Sequence, residues 1–240
     1  MSLRANYDDI VKLSVIGEIT SPRRAFSPYL VTHDGRAVTV PGSGGITYNV
    51  RVGDRAIGWA CDHVEPGVTI RNKDADENSA LATLGCVGNE AHVVTGEGKG
   101  SVGTVTGKHG GAEHMMIDFP PEVLEKLTIG DRIQVRAYGR GLALLDAPNV
   151  KLLNMSVQLL KALPGEVSDG GVLEVPVAGI VPPELMGSGV GSSPERGDYD
   201  IQTHDRDVLE AHGLADLKLG DLVAVRDQDH SYGRGYRHGG

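Results

Sequence analysis

Apolar and polar positions alternate over residues 13–20 and predict a β-strand, which Ser21-Pro22 would end. Two further apolar stretches, residues 29–32 and 37–40, bracket His33-Asp34-Gly35 and predict a hairpin, because Asp-Gly favours a tight turn. The loop Pro41-Gly42-Ser43-Gly44-Gly45 follows. It lacks the Lys-Ser or Lys-Thr of a phosphate loop, but its glycines would let backbone approach a ligand. Residues 56–60 form a short apolar run that reads as another strand, and residues 98–105 read as a barrel hairpin.

One unit recurs three times: an apolar residue, Gly-Asp, then an apolar run. It appears at Val52-Gly53-Asp54, Ile129-Gly130-Asp131 and Leu219-Gly220-Asp221. The last two copies match further, with Leu127 against Leu217, Ile133 against Val223, Val135 against Val225 and Arg136 against Arg226. Repeated turn-and-strand units of this kind build small β-barrels or sandwiches. Short helices are expected at residues 76–84, at 122–127 behind Pro120-Pro121, at 155–163 before Pro164-Gly165, and at 208–212 between the cap Asp205 and Gly213. The expected fold is therefore mainly β with short helices (α+β), as barrel or sandwich modules in two lobes. Asp146-Ala147-Pro148-Asn149 suggests a boundary, giving an amino-terminal barrel-like domain over residues 1–150 and a second β-rich lobe over 151–240.

Composition narrows the function. The net charge is −9 with no Lys/Arg cluster, which argues against nucleic acid as the main partner. The 34 glycines in 240 residues fit many tight turns. Cys61 and Cys86 do not make a disulfide framework, so a reducing compartment is expected and a buried structural thiol is the ordinary reading of each. No amino-terminal apolar segment resembles a signal peptide and no apolar run is long enough to span a membrane; a cytoplasmic protein is expected.

Four segments carry candidate chemistry. Asp62, His63 and Glu65 lie in one short stretch, and in an extended chain His63 and Glu65 share a face, suited to a divalent metal or to acid–base work. His109, Glu113 and His114 flank the Gly110-Gly111 turn and could converge on a ligand. The loop Gly187-Ser188-Gly189-Val190-Gly191-Ser192-Ser193 could form an anion nest from its N–H groups, with Asp198 and Asp200 nearby. After a strand at 222–225, Asp227, Asp229 and His230 offer metal ligands or acid–base groups, and Arg234 a fork for a carboxylate. Each segment also has an ordinary reading as a polar turn or connector.

Taken together, Gly42 to Val50, Asp62-His63-Val64-Glu65-Pro66-Gly67, Gly107-Lys108-His109-Gly110-Gly111, Met186-Gly187-Ser188-Gly189 and Tyr232-Gly233-Arg234 resemble the prokaryotic domain-of-unknown-function family 4438 along nearly the whole chain. The resemblance implies a mainly β, multi-lobed fold and no particular activity. A short stretch from Gly220 to Gly235 is similar to the metal-dependent acetamidase/formamidase family, without its Gly-Asp-Gly-Glu element. The resemblance to family 4438 implies a further apolar strand region beyond Tyr232-Gly233-Arg234, whereas this chain stops at His238-Gly239-Gly240. Three explanations stand: a partial chain, a natural end, or a precursor cut after Gly240 that frees an amino-terminal Ser, Thr or Cys nucleophile on a companion chain.

The functional expectation is a small-molecule hydrolase of an amide or cyclic-amide C–N bond. His63, Glu65, Asp227, Asp229 and His230 would be catalytic, and Asp62, His63 and Asp229 would hold a divalent metal ion. Gly44, Gly45, Tyr48, His109, Ser188 and Arg234 would bind substrate, and the chain would form a homo-oligomer. The alternative is a non-catalytic protein that binds a small anionic metabolite.

Overall fold

The computed structural model describes residues 3–23, 30–32, 34–38, 43–60, 64–111, 113–189 and 193–228. Six strands close into a barrel. We number them β1 (Lys12–Ile19), β2 (Gly67–Arg71), β3 (Glu90–Val93), β4 (Val102–His109), β5 (His114–Asp118) and β6 (Arg132–Tyr138). The order around the barrel is β1-β6-β3-β4-β5-β2, and β2 returns to β1 through Glu18↔Arg71 and Ile19↔Ile70. All these pairings are antiparallel. Closure removes the unpaired edges that an open sheet would leave. A two-residue strand, Ile46–Thr47, adds to the outside of β2.

Inward-facing apolar residues fill the barrel. Ile19, Val68, Ile70, Val105, Met115, Ile117, Phe119, Ile133 and Val135 form its buried core with Leu81 of helix α1 (Ala75–Leu84). Asp74 caps that helix, its carboxylate accepting from the N–H groups of Asp76 and Glu77. A second cluster packs Leu142, Leu144, Val157 and Leu160, and includes the short helix Val157–Ala162 capped by Ser156. A third joins Val181, Leu185, Leu209 and Leu214 around helix Arg206–Ala211, which Asp205 caps, and around the parallel strands Gly179–Val181 and Val223–Val225.

The three Gly-Asp units fold as the same reverse turn. Gly53, Gly130 and Gly220 have φ of 96°, 94° and 97°, a region that glycine alone enters without strain. Asp54, Asp131 and Asp221 each accept a hydrogen bond from the N–H three residues earlier, at 2.8, 2.9 and 2.8 Å. Strands follow the second and third turns. No strand follows the first, contrary to the expectation for residues 56–60: the Trp59 indole N–H donates to the Arg55 carbonyl at 2.8 Å and the Arg55 guanidinium lies over its ring, which curls the segment. The first and third turns instead pair with each other, through Gly53 N–H to Leu219 O and Leu219 N–H to Asp54 O, both 2.8 Å. A local sequence echo thus becomes a long-range staple between the barrel region and the third cluster.

The hairpin expected near Asp34-Gly35 is present as Leu30–Val31 against Ala37–Val38. Among the described residues no helix is long and apolar enough to cross a membrane.

Candidate metal centre

The site grows out of the β4–β5 hairpin. Its register pairs His109 with His114, so the two imidazoles start from adjacent cross-strand positions. A β-bulge between Val105 and Gly107 sets which face each residue takes. Before the bulge, Gly103 and Val105 are the buried positions of the strand; after it, Lys108 is buried and pairs with the core residue Met115. The extra residue therefore turns Lys108 inward and His109 onto the outer face. On β5, Met115 and Ile117 point into the core, so His114 and Met116 point outward.

Glu65 enters from the segment before β2. Its side chain reaches along the outer face to Thr69, whose hydroxyl donates to Oε2 at 2.8 Å. His114 Nδ1 lies 2.9 Å from Glu65 Oε1 and 3.1 Å from Oε2, and His109 Nδ1 also hydrogen-bonds Oε1. The rings meet edge to face with centroids 6.2 Å apart. Glu65 and His114 are buried, at 5% and 3% exposure, while the His109 side chain keeps 16%. Each of the three offers one ligand atom within 4.8 Å of the other two. Two ligands each about 2.0–2.2 Å from one ion lie at most about 4.4 Å apart, so donors this close can share one divalent cation with little movement. Two imidazoles and one carboxylate are the donors that zinc and its neighbours take.

Electrostatics favour charge here. Burial alone would raise the Glu65 carboxyl, but hydrogen bonds from His109 and His114 outweigh it and hold its pKa at about 2. The Glu65 hydrogen bond raises His109 against the effect of burial, and Asp198 and Asp200 add to the rise. The carboxylate is thus ionised across the whole physiological range and suited to a cation.

The surrounding wall is close. Gly44 has φ of 104°, and a Cβ there would stand 2.5 Å from Thr20 Oγ1 and 3.3 Å from His114 Cε1. Only glycine lets this loop lie against the imidazole. On the inner side, Lys108 is 3% exposed and donates to the Glu195 carbonyl at 2.8 Å; burial pushes its pKa down to about 7. Cys86, near Lys108 and Arg140, is a buried free thiol that burial pushes up.

The structure thus unites Glu65 and His109, drawn from different sequence segments, with His114, the histidine across the Gly-Gly turn. Gly44 lies beside them and Gly45 follows in the same loop, its N–H donating to Thr20 Oγ1 at 3.3 Å. Tyr48 is exposed at 53%, and Ser188 contributes its carbonyl to the Asp200 N–H at 2.9 Å. Asp227 is not part of this centre: it is exposed, with φ of 57°, just past the strand Val223–Val225. Asp62, His63, Asp229, His230, Arg234 and Gly240 lie outside the described residues. The same-face pairing expected for Glu65 was with His63; the partners found are 44 and 49 residues away.

Comparison with known proteins places the chain. The amino-terminal model of the family described as domain of unknown function DUF4438 matches residues 29–161, and the carboxyl-terminal model of that family matches residues 163–240. The chain belongs to the DUF4438 family. It is also similar to the protein in the crystal structure of TM1086, with 48% sequence identity and a TM-score of 0.92, over 99% of this chain and 83% of that one. A search of curated proteins gave no match.

Proposed function

We propose that the protein is a divalent-metal-dependent hydrolase of small molecules, with Glu65, His109 and His114 as the metal centre. The observation that carries this reading is the convergence of three ligand atoms within 4.8 Å, two of them on buried side chains, beside a glycine-walled approach. Glu65, His109 and His114 would hold the ion through one carboxylate and two imidazoles, a set of three protein ligands that would leave room for water or substrate. A bound divalent ion supplies Lewis acidity that polarises a carbonyl and acidifies a water. The protein's own groups do the rest: Glu65 fixes both imidazoles, Thr69 fixes Glu65, and the Gly44 loop brings backbone against the site. In the reaction the oxygen of water bonds to the carbonyl carbon, the C–N bond breaks, and the leaving nitrogen takes the proton. The amide or cyclic-amide preference rests on the short similarity to acetamidase/formamidase near the carboxyl terminus.

The test is hydrolysis of a panel of linear and cyclic amides by metal-stripped protein, before and after addition of Zn²⁺, Mn²⁺ or Co²⁺. Activity that returns with metal and is absent from His109→Ala and His114→Ala supports the reading. Activity that survives both substitutions contradicts it.

A second reading, a small-anion-binding protein, draws support from a different place. A cavity of about 470 Å³ is lined by three cations, Arg55, Arg206 and Lys218, and one carboxylate, Asp216, beside Ile57, Gly58 and Ala215. Under this reading, phosphate or a small dicarboxylate raises the melting temperature and is recovered unchanged.

A further inference from the structure

The turn that carries both histidines does not stand alone. The segment 195–198, from the other family half of the chain, grips it at both ends. Next to His109, the Gly110 N–H donates to Asp198 Oδ1 at 2.7 Å. Next to His114, the Arg196 guanidinium donates to Glu113 Oε1 at 2.8 Å. Glu113 has φ of 55°, a conformation that costs a residue with a Cβ and persists only where its surroundings hold it. Asn78 of α1 supplies further support, donating to the Glu113 carbonyl at 3.0 Å. The segment is itself anchored from beneath: the Glu195 carbonyl accepts from Lys108 Nζ at 2.8 Å and from Arg140 Nη2 at 2.7 Å. The fit at Gly110 is close, since a Cβ there would stand 2.7 Å from Asp198 Oδ1.

We propose that Asp198 and Arg196 are positioning residues of the metal centre, a brace that sets the spacing of His109 and His114 and thereby the affinity and geometry of the bound ion. This inference rests on the metal-centre reading. Neither residue needs to touch the ion; each acts on a residue adjacent in sequence to a ligand. The hydrogen bond that Asp198 accepts is one that an asparagine in its place can also accept, while an alanine cannot. Groups behind metal ligands commonly govern affinity by about 10- to 100-fold.

The experiment is titration of metal-stripped protein with Co²⁺, read by its visible d–d absorption, with thermal melts of each metal-free variant alongside. The brace predicts about 10-fold weaker Co²⁺ binding and an altered d–d spectrum for Asp198→Ala, near-native binding for Asp198→Asn, and a smaller loss for Arg196→Met. If wild-type protein binds Co²⁺ and Asp198→Ala binds it equally well with the same spectrum, the brace is overturned and the metal centre stands. If Asp198→Asn is as weak as Asp198→Ala, charge and not bracing is the cause, and the inference is again overturned. If the wild type binds no Co²⁺, the metal-centre reading fails and the brace with it. Should Asp198→Ala not fold, Arg196→Met carries the test, because it acts on the other end of the turn.

Discussion

Two buried carboxylates of the same barrel make opposite use of their surroundings. Asp131, at the Gly-Asp turn before β6, accepts from the Thr128 N–H and the Thr95 hydroxyl, at 2.9 and 3.2 Å. Glu65, in the segment before β2, accepts from a hydroxyl and two imidazoles. Their exposures, 8% and 5%, are nearly equal, so burial does not distinguish them. The donors do. The Thr128 N–H closes a local turn, and the Thr95 hydroxyl, which also accepts from the Arg132 N–H at 2.7 Å, ties that turn to the neighbouring segment, so the carboxylate they hold is structural. Imidazoles can exchange a proton for a metal ion, and a carboxylate held by two of them is a site.

The comparison can be broken by substitution. The largest effect is expected at Glu65→Ala, with loss of Zn²⁺ affinity of at least about 100-fold by calorimetric titration, since one of three ligands is gone. Asp131→Ala should leave metal affinity within about 2-fold while costing about 2 kcal/mol of stability in urea melts, because two partly buried hydrogen bonds lose their acceptor. If the two variants exchange these phenotypes, the distinction is wrong.

The pH dependence of the metal-free protein sharpens the contrast. Glu65 has a folded pKa of about 2, below its unfolded value of 4.5. Its contribution is present above about 4.5 and is lost as pH falls towards 2. His109 is raised in the fold, so its contribution is full below its ordinary value of 6.5 and is lost as pH rises through the folded value. Lys108 has the opposite sign from His109: its pKa falls from 10.5 to about 7, so stability rises from pH 7 towards 10.5 as the unfolded chain binds the extra proton. Lys108→Met should therefore gain more over wild type at pH 6 than at pH 10, as measured by thermal melts. A gain that does not change with pH would count against a buried, depressed Lys108.

The smallest expected effects belong to the exposed copies of the turn. Asp54→Ala and Asp221→Ala remove the same hydrogen bond as Asp131→Ala but leave the freed N–H to water, so each should cost about 0.5–1 kcal/mol. Equal costs at all three positions would show that the turn, not burial, sets the penalty.

These two carboxylates also mark what the sequence discloses. Asp131 was legible: the Gly-Asp repeat, the helix cap Asp205 and the alternating strands are local patterns, and local hydrogen bonds enforce them. Residues 56–60 misled because an apolar run does not reveal that the Trp59 indole folds back on Arg55. The partners of Glu65 were not legible. Glu65, His109 and His114 each stood out by residue type, yet their meeting depends on the β2–β5 and β4–β5 registers and on one bulged residue. Barrel closure is equally non-local, with Lys12 paired to Tyr138. The clearest trace of the site in sequence was the pair of histidines on either side of the Gly110-Gly111 turn.

The central claim is that Glu65, His109 and His114 share one divalent ion. Crystals grown with Zn²⁺ and measured at the zinc absorption edge test it most directly. The account predicts one strong anomalous peak about 2.0–2.2 Å from a Glu65 oxygen and from a nitrogen of each imidazole, absent from His114→Ala crystals. No peak among these three side chains, or one that persists at the same place in His114→Ala, would contradict it.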